Sequence, residues 1–320
     1  MLRARVACTM RKRAATLDRL LQKVKLVPWS PCASDCEEDE VTLYVKGFLA
    51  PNDTMSAFGD WKREHEKLAR RLGWGKSAAG VQWQNGWASA RDLTPFGTLS
   101  SLPTILPFPG TAAVHMFSRL FTKGSKVVRL SPAAFLASSV VETMALSTLR
   151  LHFAFSKAEA NAAADAKELA RAVDLLRGKN GSSRRIRLVA HSLGCGIALE
   201  AALLLAREGR GVDELHLCGA AFEVTRLTLP TLQNRSLTAE GGKVCVYYSP
   251  ADSVLALAYP LFSRGRSAVG AVGLRDVSTD ELRLLTGAGV SAVDVSPFIS
   301  SSDSLLFHGA YQRKFARFAK

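Results

Sequence analysis

No apolar run of about 7–15 residues follows the amino-terminal arginines, so a secretory signal peptide is not expected. The six cysteines (8, 32, 36, 195, 218 and 245) have no disulfide-framework spacing, which makes a reducing compartment the default expectation. Cys32 and Cys36 lie in an acidic stretch without a second ligand pair, so a zinc site is not expected there. Cys218 and Cys245 fall in apolar strand patterns, where a free thiol packs as a small hydrophobe. There is no glycine loop with a lysine to cradle phosphate and no cluster of metal ligands, so neither a cofactor nor a metal is expected. The charge-free stretch 94–118 contains Pro95, Pro103, Pro107 and Pro109, which exclude a membrane-spanning helix. Residues 133–155 are apolar, but Glu142 and Arg150 interrupt them, and the stretch is short for a span.

Positive charge is abundant instead. The 320-residue chain carries a net +14, and residues 1–30 hold eight Lys/Arg against one acid, Asp18. Four more basic residues (Arg313, Lys314, Arg317 and Lys320) follow Asp303 with no acid among them. Three readings of the amino-terminal arm stay open: an Arg-rich mitochondrial transit peptide, a polybasic segment resting on anionic lipid, or a solvated tail. The expected location is intracellular, cytoplasmic or membrane-associated. Nucleic-acid binding is disfavoured, because the basic residues concentrate at the two ends and no binding motif accompanies them. Hydrophobic content of 48% and charged content of 22% are those of a globular protein.

Composition shifts near residue 40, dividing a basic-then-acidic arm (1–40) from a folded domain (41–320). Val41 to Leu49 reads as a strand, 55–72 as a helix with Met55, Phe58, Trp61, Leu68 and Leu72 on one side, and 79–84 as a second strand. An apolar strand from Ile186 to Ala190 and a helix from Ile197 to Arg207 come next, then strand patterns at 214–222, 243–248 and 290–295. Alternating strands and helices predict an α/β fold, a mostly parallel sheet with helices on both faces. About 70 residues (88–155) break this rhythm and read as a helical, apolar insertion acting as a cap or lid, or as a helical excursion that completes the core.

The chemistry centres on Ala190-His-Ser-Leu-Gly194. A small residue two before the serine and a glycine two after it, between a strand and a helix, make a nucleophile elbow whose turn lifts the serine clear of the sheet. The helix beginning there aims free N–H groups at the same spot. A serine hydroxyl needs a base, and the base needs an acid to fix its tautomer. Along the chain such a serine is followed by the acid and then the base. Only His216 and His308 follow Ser192, and His216 sits inside a strand pattern. His308, expected on a mobile loop after the last strand, is the candidate base, the alternative being a surface histidine. Asp252, directly after a strand in Tyr248-Ser-Pro-Ala-Asp252, is the candidate acid. Asp294 and Asp303 read as cap or loop residues. Leu193 N–H and Phe48 N–H are the candidate oxyanion hole. His191 reads as a wedged structural histidine projecting away from Ser192.

Val189-Ala-His-Ser-Leu-Gly194, Val45-Lys-Gly-Phe-Leu49, Tyr248-Ser-Pro-Ala-Asp-Ser-Val-Leu255 and the final Asp294-Val-Ser with His308-Gly-Ala-Tyr311 together resemble the α/β-hydrolase superfamily. They look most like a poorly characterised branch that includes transmembrane and coiled-coil domain, lipase-like hydrolases. The similarity covers roughly 41–312 and implies the catalytic set Ser192, Asp252 and His308, with lipid esters as substrates. Unlike that branch, the chain has no clear transmembrane hairpin, and Ala190 stands where a glycine is common. The expectation is a serine hydrolase of carboxylic esters, lipase- or esterase-like, that touches anionic membrane peripherally. The alternative is a non-catalytic scaffold that binds a lipid or protein partner. Neither oligomeric state nor acyl chain is legible.

Overall fold

The computed structural model describes residues 25–29, 39–47, 58–83, 155–156, 158–177, 184–233, 236–299 and 307–320. The chain divides into two compact units, one of Met1–Gly86 with Lys157–Lys320 and one of Trp87–Ser156. The insertion read as a cap falls on the second, and residues 87–154 of it lie outside the described residues.

The first unit is built on a seven-stranded sheet. Its strands are β1 (Lys25–Pro28), β2 (Glu40–Val45), β3 (Ala78–Gln82), β4 (Arg185–His191), β5 (Glu214–Cys218), β6 (Lys243–Tyr248) and β7 (Val290–Asp294), in the spatial order β1-β3-β2-β4-β5-β6-β7. Every neighbouring pair is parallel except β1 with β3. Both faces of β4 are buried from Ile186 onward, Arg187 included, so Leu188, Val189 and Ala190 follow one another without an exposed polar residue between them. The sheet starts earlier than the composition shift at residue 40 suggests: β1 belongs to the basic arm, and Trp29 just after it is buried against Tyr44 at 4.6 Å between ring centres. Four residues ending in proline give too short a pattern to stand out from the surrounding charge. Among the described residues no helix is long and apolar enough to cross a membrane.

The main helices are α1 (Gly59–Leu72), α2 (158–177), α3 (Gly194–Arg207), α4 (Thr225–Leu232), α5 (Thr279–Gly287) and α6 (Phe307–Phe318). Residues Trp61, Glu64, His65 and Leu68 form the buried stripe of α1, at helical spacing. Leu72, expected on that stripe, is exposed: it is the last residue of the helix, which stops at the left-handed Gly73. Glu64, with a polar side chain on the apolar face, accepts a hydrogen bond from the Ala316 N–H at 2.8 Å and so joins α1 to α6. Between these two helices and the sheet, Trp61, Phe315, Tyr247 and Phe318 meet at ring separations of 5.2–5.7 Å, mostly edge to face. Each such pair contributes roughly 0.5–1.5 kcal/mol beyond its area.

A charged row crosses the amino ends of the central strands. In register, Glu40 faces Arg185, Arg187 faces Glu214, and Glu214 faces Lys243. Arg187 and Glu214 are both 2% exposed and meet at 2.8 Å (Nε to Oε2), while a second guanidinium nitrogen of Arg187 donates to Glu40. Trp74 covers the guanidinium at 3.7 Å. His216 is fully buried beside them: its Nε2–H donates to Glu214 at 3.0 Å, and its Nδ1 accepts from the Tyr247 hydroxyl at 2.9 Å. The histidine expected to lie inside a strand is thus fixed in the core by two partners.

Burial lowers the His216 pKa to about 4, outweighing the nearby Glu214 carboxylate that raises it. The folded state therefore binds fewer protons than the unfolded chain between the ordinary value of 6.5 and about 4. Stability is complete above that window and falls as pH drops through it, on the order of 3 kcal/mol from this group at ~1.4 kcal/mol per pH unit. Urea-unfolding midpoints measured from pH 7 to pH 4 should fall accordingly, and a flat profile would contradict this.

Candidate active site

The carboxyl ends of β2, β4 and β6 and the start of α6 converge on one side of the sheet. β4 gives way to α3 within two residues, and Ser192 takes the turn with φ +54°, one of two described non-glycine residues in the left-handed region. Such a conformation costs about 1–3 kcal/mol and persists only when its surroundings fix it. Here the Ser192 N–H donates to the Cys218 carbonyl at 3.0 Å, and its carbonyl accepts from Ala221 at 3.2 Å, both at the end of β5. Tight packing completes the restraint. A Cβ on Gly194 would overlap the Lys46 carbonyl, and one on Gly47 would stand 2.8 Å from Ser192 Cβ and 2.9 Å from His191 Nδ1. The two glycines thus let the end of β2 press against the elbow. Trp83 fixes that end from the other side, its indole N–H donating to the Lys46 carbonyl at 2.8 Å.

The N–H groups of Cys195 and Gly196 are used locally, bonding the carbonyls of Ser192 and Leu193. Those of Leu193 and Gly194 have no backbone acceptor among the described residues. They are the free donors expected at a helix start. Phe48, the other expected oxyanion donor, lies outside the described residues.

Asp252 follows β6 and is fully buried. Its Oδ1 accepts from the N–H groups of Val254 (3.1 Å) and Leu255 (3.2 Å), which leaves Oδ2 for His308, whose Nδ1–H donates to it at 2.7 Å. One carboxylate oxygen is thus spent on locking the loop and the other on fixing the imidazole tautomer. With the proton on Nδ1, His308 Nε2 carries a lone pair. His308 is not on a loop, as expected from sequence, but is the second residue of α6. Buried Tyr311, Phe315 and Phe318, spaced three and four apart, draw that segment into a helix against the aromatic core. Among the described residues no hydrogen bond joins the Ser192 hydroxyl to His308. Catalytic contacts of this kind are often long before substrate arrives.

The competing acids stand elsewhere. Asp294 ends β7 and caps the following turn, accepting from the Ser296 N–H at 2.9 Å, with Arg275 at 3.8 Å. Asp303 lies outside the described residues. His191, read as a wedged structural histidine, is buried and meets α6. Its Nε2–H donates to the His308 carbonyl at 2.7 Å, and the two rings stand 4.6 Å apart. Gln312, unnoticed in the sequence, donates to His191 Nδ1 at 3.0 Å. Its spacing of four from His308 on a helix was the signal available.

No match is found among curated proteins. Among solved structures, a hormone-sensitive lipase from a metagenome library is similar at 12% identity and a TM-score of 0.35, over 98% of this chain and 96% of that one. Esterase B from Lactobacillus rhamnosis, in a form inhibited by a tributyrin phosphonate, is similar at 10% identity and a TM-score of 0.31, over 98% of this chain and 94% of that one. The profile of the family described as "Alpha/beta hydrolase of unknown function (DUF900)" matches residues 137–316. That stretch is more than half the chain and holds Ser192, Asp252 and His308, and the chain belongs to this α/β-hydrolase family.

Proposed function

We propose that the protein is a serine hydrolase of carboxylic esters working through an acyl-enzyme, with Ser192 as nucleophile, His308 as base and Asp252 as its acid partner. The observation that carries this reading is the pairing of a strained elbow serine with a buried Asp252–His308 hydrogen bond of 2.7 Å at the same ends of the strands. His308 Nε2 takes the Ser192 proton as Oγ attacks the ester carbonyl carbon. The carbonyl oxygen becomes an oxyanion facing the N–H of Leu193 and that of Phe48. Collapse expels the alcohol, protonated by His308, and water then releases the acid by the same steps. Asp252 stabilises the imidazolium without taking its proton.

Support for an amphiphilic substrate comes from the turns immediately after Asp252. Val254, Leu257 and Leu261, spaced three and four apart, are 44%, 70% and 72% exposed. Apolar side chains at this spacing, beside the acid of the site and on a chain of net charge +14, suit an ester presented at an anionic lipid surface.

Two predictions follow from these assignments. Ser192→Ala abolishes hydrolysis of a soluble p-nitrophenyl ester, and Asp252→Asn, which leaves the imidazole in the wrong tautomer, lowers kcat by roughly 10⁴-fold. Steady-state kinetics check both, and a folded Ser192→Ala protein that keeps its activity would overturn the assignment. The double variant Leu257→Glu/Leu261→Glu keeps activity on the soluble ester within about 2-fold. It loses ~10-fold or more on esters dispersed in anionic vesicles, since each leucine withdrawn from lipid forfeits roughly 1–2 kcal/mol. Equal activity on both substrates would remove the lipid-surface reading.

A further inference from the structure

We infer that His191, through Gln312, is a positioning residue for the base His308: its imidazole N–H grips the main chain of His308 and sets where that ring stands relative to Ser192. The inference rests on the serine-hydrolase reading and adds a residue to it.

With the Gln312 amide nitrogen facing the ring, one arrangement of protons satisfies both nitrogens of His191. Nε2 faces a carbonyl oxygen, that of His308, at 2.7 Å and must carry hydrogen. Nδ1 faces the side-chain amide of Gln312 at 3.0 Å and accepts from its Nε2. His191 is therefore a neutral imidazole with both nitrogens used. Burial, and after it the neighbouring His308, hold its pKa well below the ordinary histidine value, in keeping with that state. Neutrality matters because the rings are 4.6 Å apart. A charged His191 would repel the imidazolium that His308 becomes when it takes the serine proton.

His191 is also the neighbour of the nucleophile in the chain, so the contact is short in both senses. It is the last residue of β4, clamped in the sheet opposite Cys218 of β5, and its ring packs so close to Gly47 that a Cβ there would stand 2.9 Å from Nδ1. His308 and Gln312 lie one turn apart on α6, so a single side chain from the elbow strand meets two points on that helix. Among the described residues, no other residue of β4 makes a hydrogen bond or ring contact with His308. Asp252 fixes the tautomer and one edge of the His308 ring, whereas His191 fixes its backbone against the strand that delivers Ser192. Because reaction geometry is sensitive at the scale of 1 Å, a tie of this kind should act on turnover more than on binding.

The test compares wild type, His191→Phe and His191→Gln in the full chain. The readouts are kcat and KM on a soluble p-nitrophenyl ester and the second-order rate of Ser192 labelling by a fluorophosphonate. Phenylalanine keeps the bulk and removes the N–H; glutamine returns an amide N–H near the position of Nε2. The expected result is a fall of at least ~10-fold in kcat and in labelling rate for His191→Phe with KM within ~3-fold, and recovery to within ~3-fold of wild type for His191→Gln. Should His191→Phe fail to fold, Gln312→Leu frees the other tautomer of His191 and is expected to lower kcat by ~3–10-fold at unchanged KM. A folded His191→Phe protein with wild-type kcat and labelling overturns the inference, as does an equal fall in the Phe and Gln variants. Wild type that neither labels nor hydrolyses removes the hydrolase reading itself, a result distinct from either of these.

Discussion

The rest of the site depends on one backbone constraint, the left-handed turn at Ser192. A residue with a Cβ at φ +54° is held there only because its N–H and carbonyl are both bonded to the end of β5. The end of β2 presses in from the other side, where two glycines leave space. The same turn starts α3 at once, so that Leu193 and Gly194, whose N–H groups have no backbone acceptor among the described residues, follow directly on Ser192. Backbone strain at the proposed nucleophile and the free donors proposed for an oxyanion therefore come from one geometric fact.

The sheet separates two kinds of polar chemistry. At the amino ends of β2, β4, β5 and β6, charges of alternating sign are buried and saturated: Arg187 bridges Glu214 and Glu40, and His216 uses both of its nitrogens. That network bonds its buried members, Arg187, Glu214 and His216, to one another. Its effect is on register, since a slip of one residue in any of these strands would leave a charge buried without its partner. At the carboxyl ends the polar groups are only partly spent. His308 keeps Nε2, and Leu193 keeps its N–H. Incomplete satisfaction, as much as position, is what supports the proposal of a catalytic site at this end.

Much of this was legible in the residues. The five letters around Ser192 between an apolar strand and an alanine-rich helix announced the elbow, and the scarcity of histidines left His308 almost without competitors. Position after a strand separated Asp252 from Asp294. What stayed hidden has physical reasons. β1 is four residues long and lies in a basic arm whose charge masks its pattern. The helix carrying His308 was read as a loop, because its helical character comes from aromatic packing against α1 rather than from local propensity. The partners of His191 stayed hidden because the elbow motif says only where the serine points, not what the preceding side chain meets across the fold. Contacts between residues 117 or 121 positions apart, such as His191 with His308 and Gln312, leave no periodic trace.

The most direct measurement of the central claim is intact-mass and peptide-mapping analysis after reaction with a fluorophosphonate. One phosphonyl group per chain is expected, carried by Ser192, with a large drop in the rate of its attachment in His308→Ala. Modification at another residue, or a folded protein that stays unmodified in the presence of detergent or lipid, would contradict the claim that Asp252 and His308 activate Ser192.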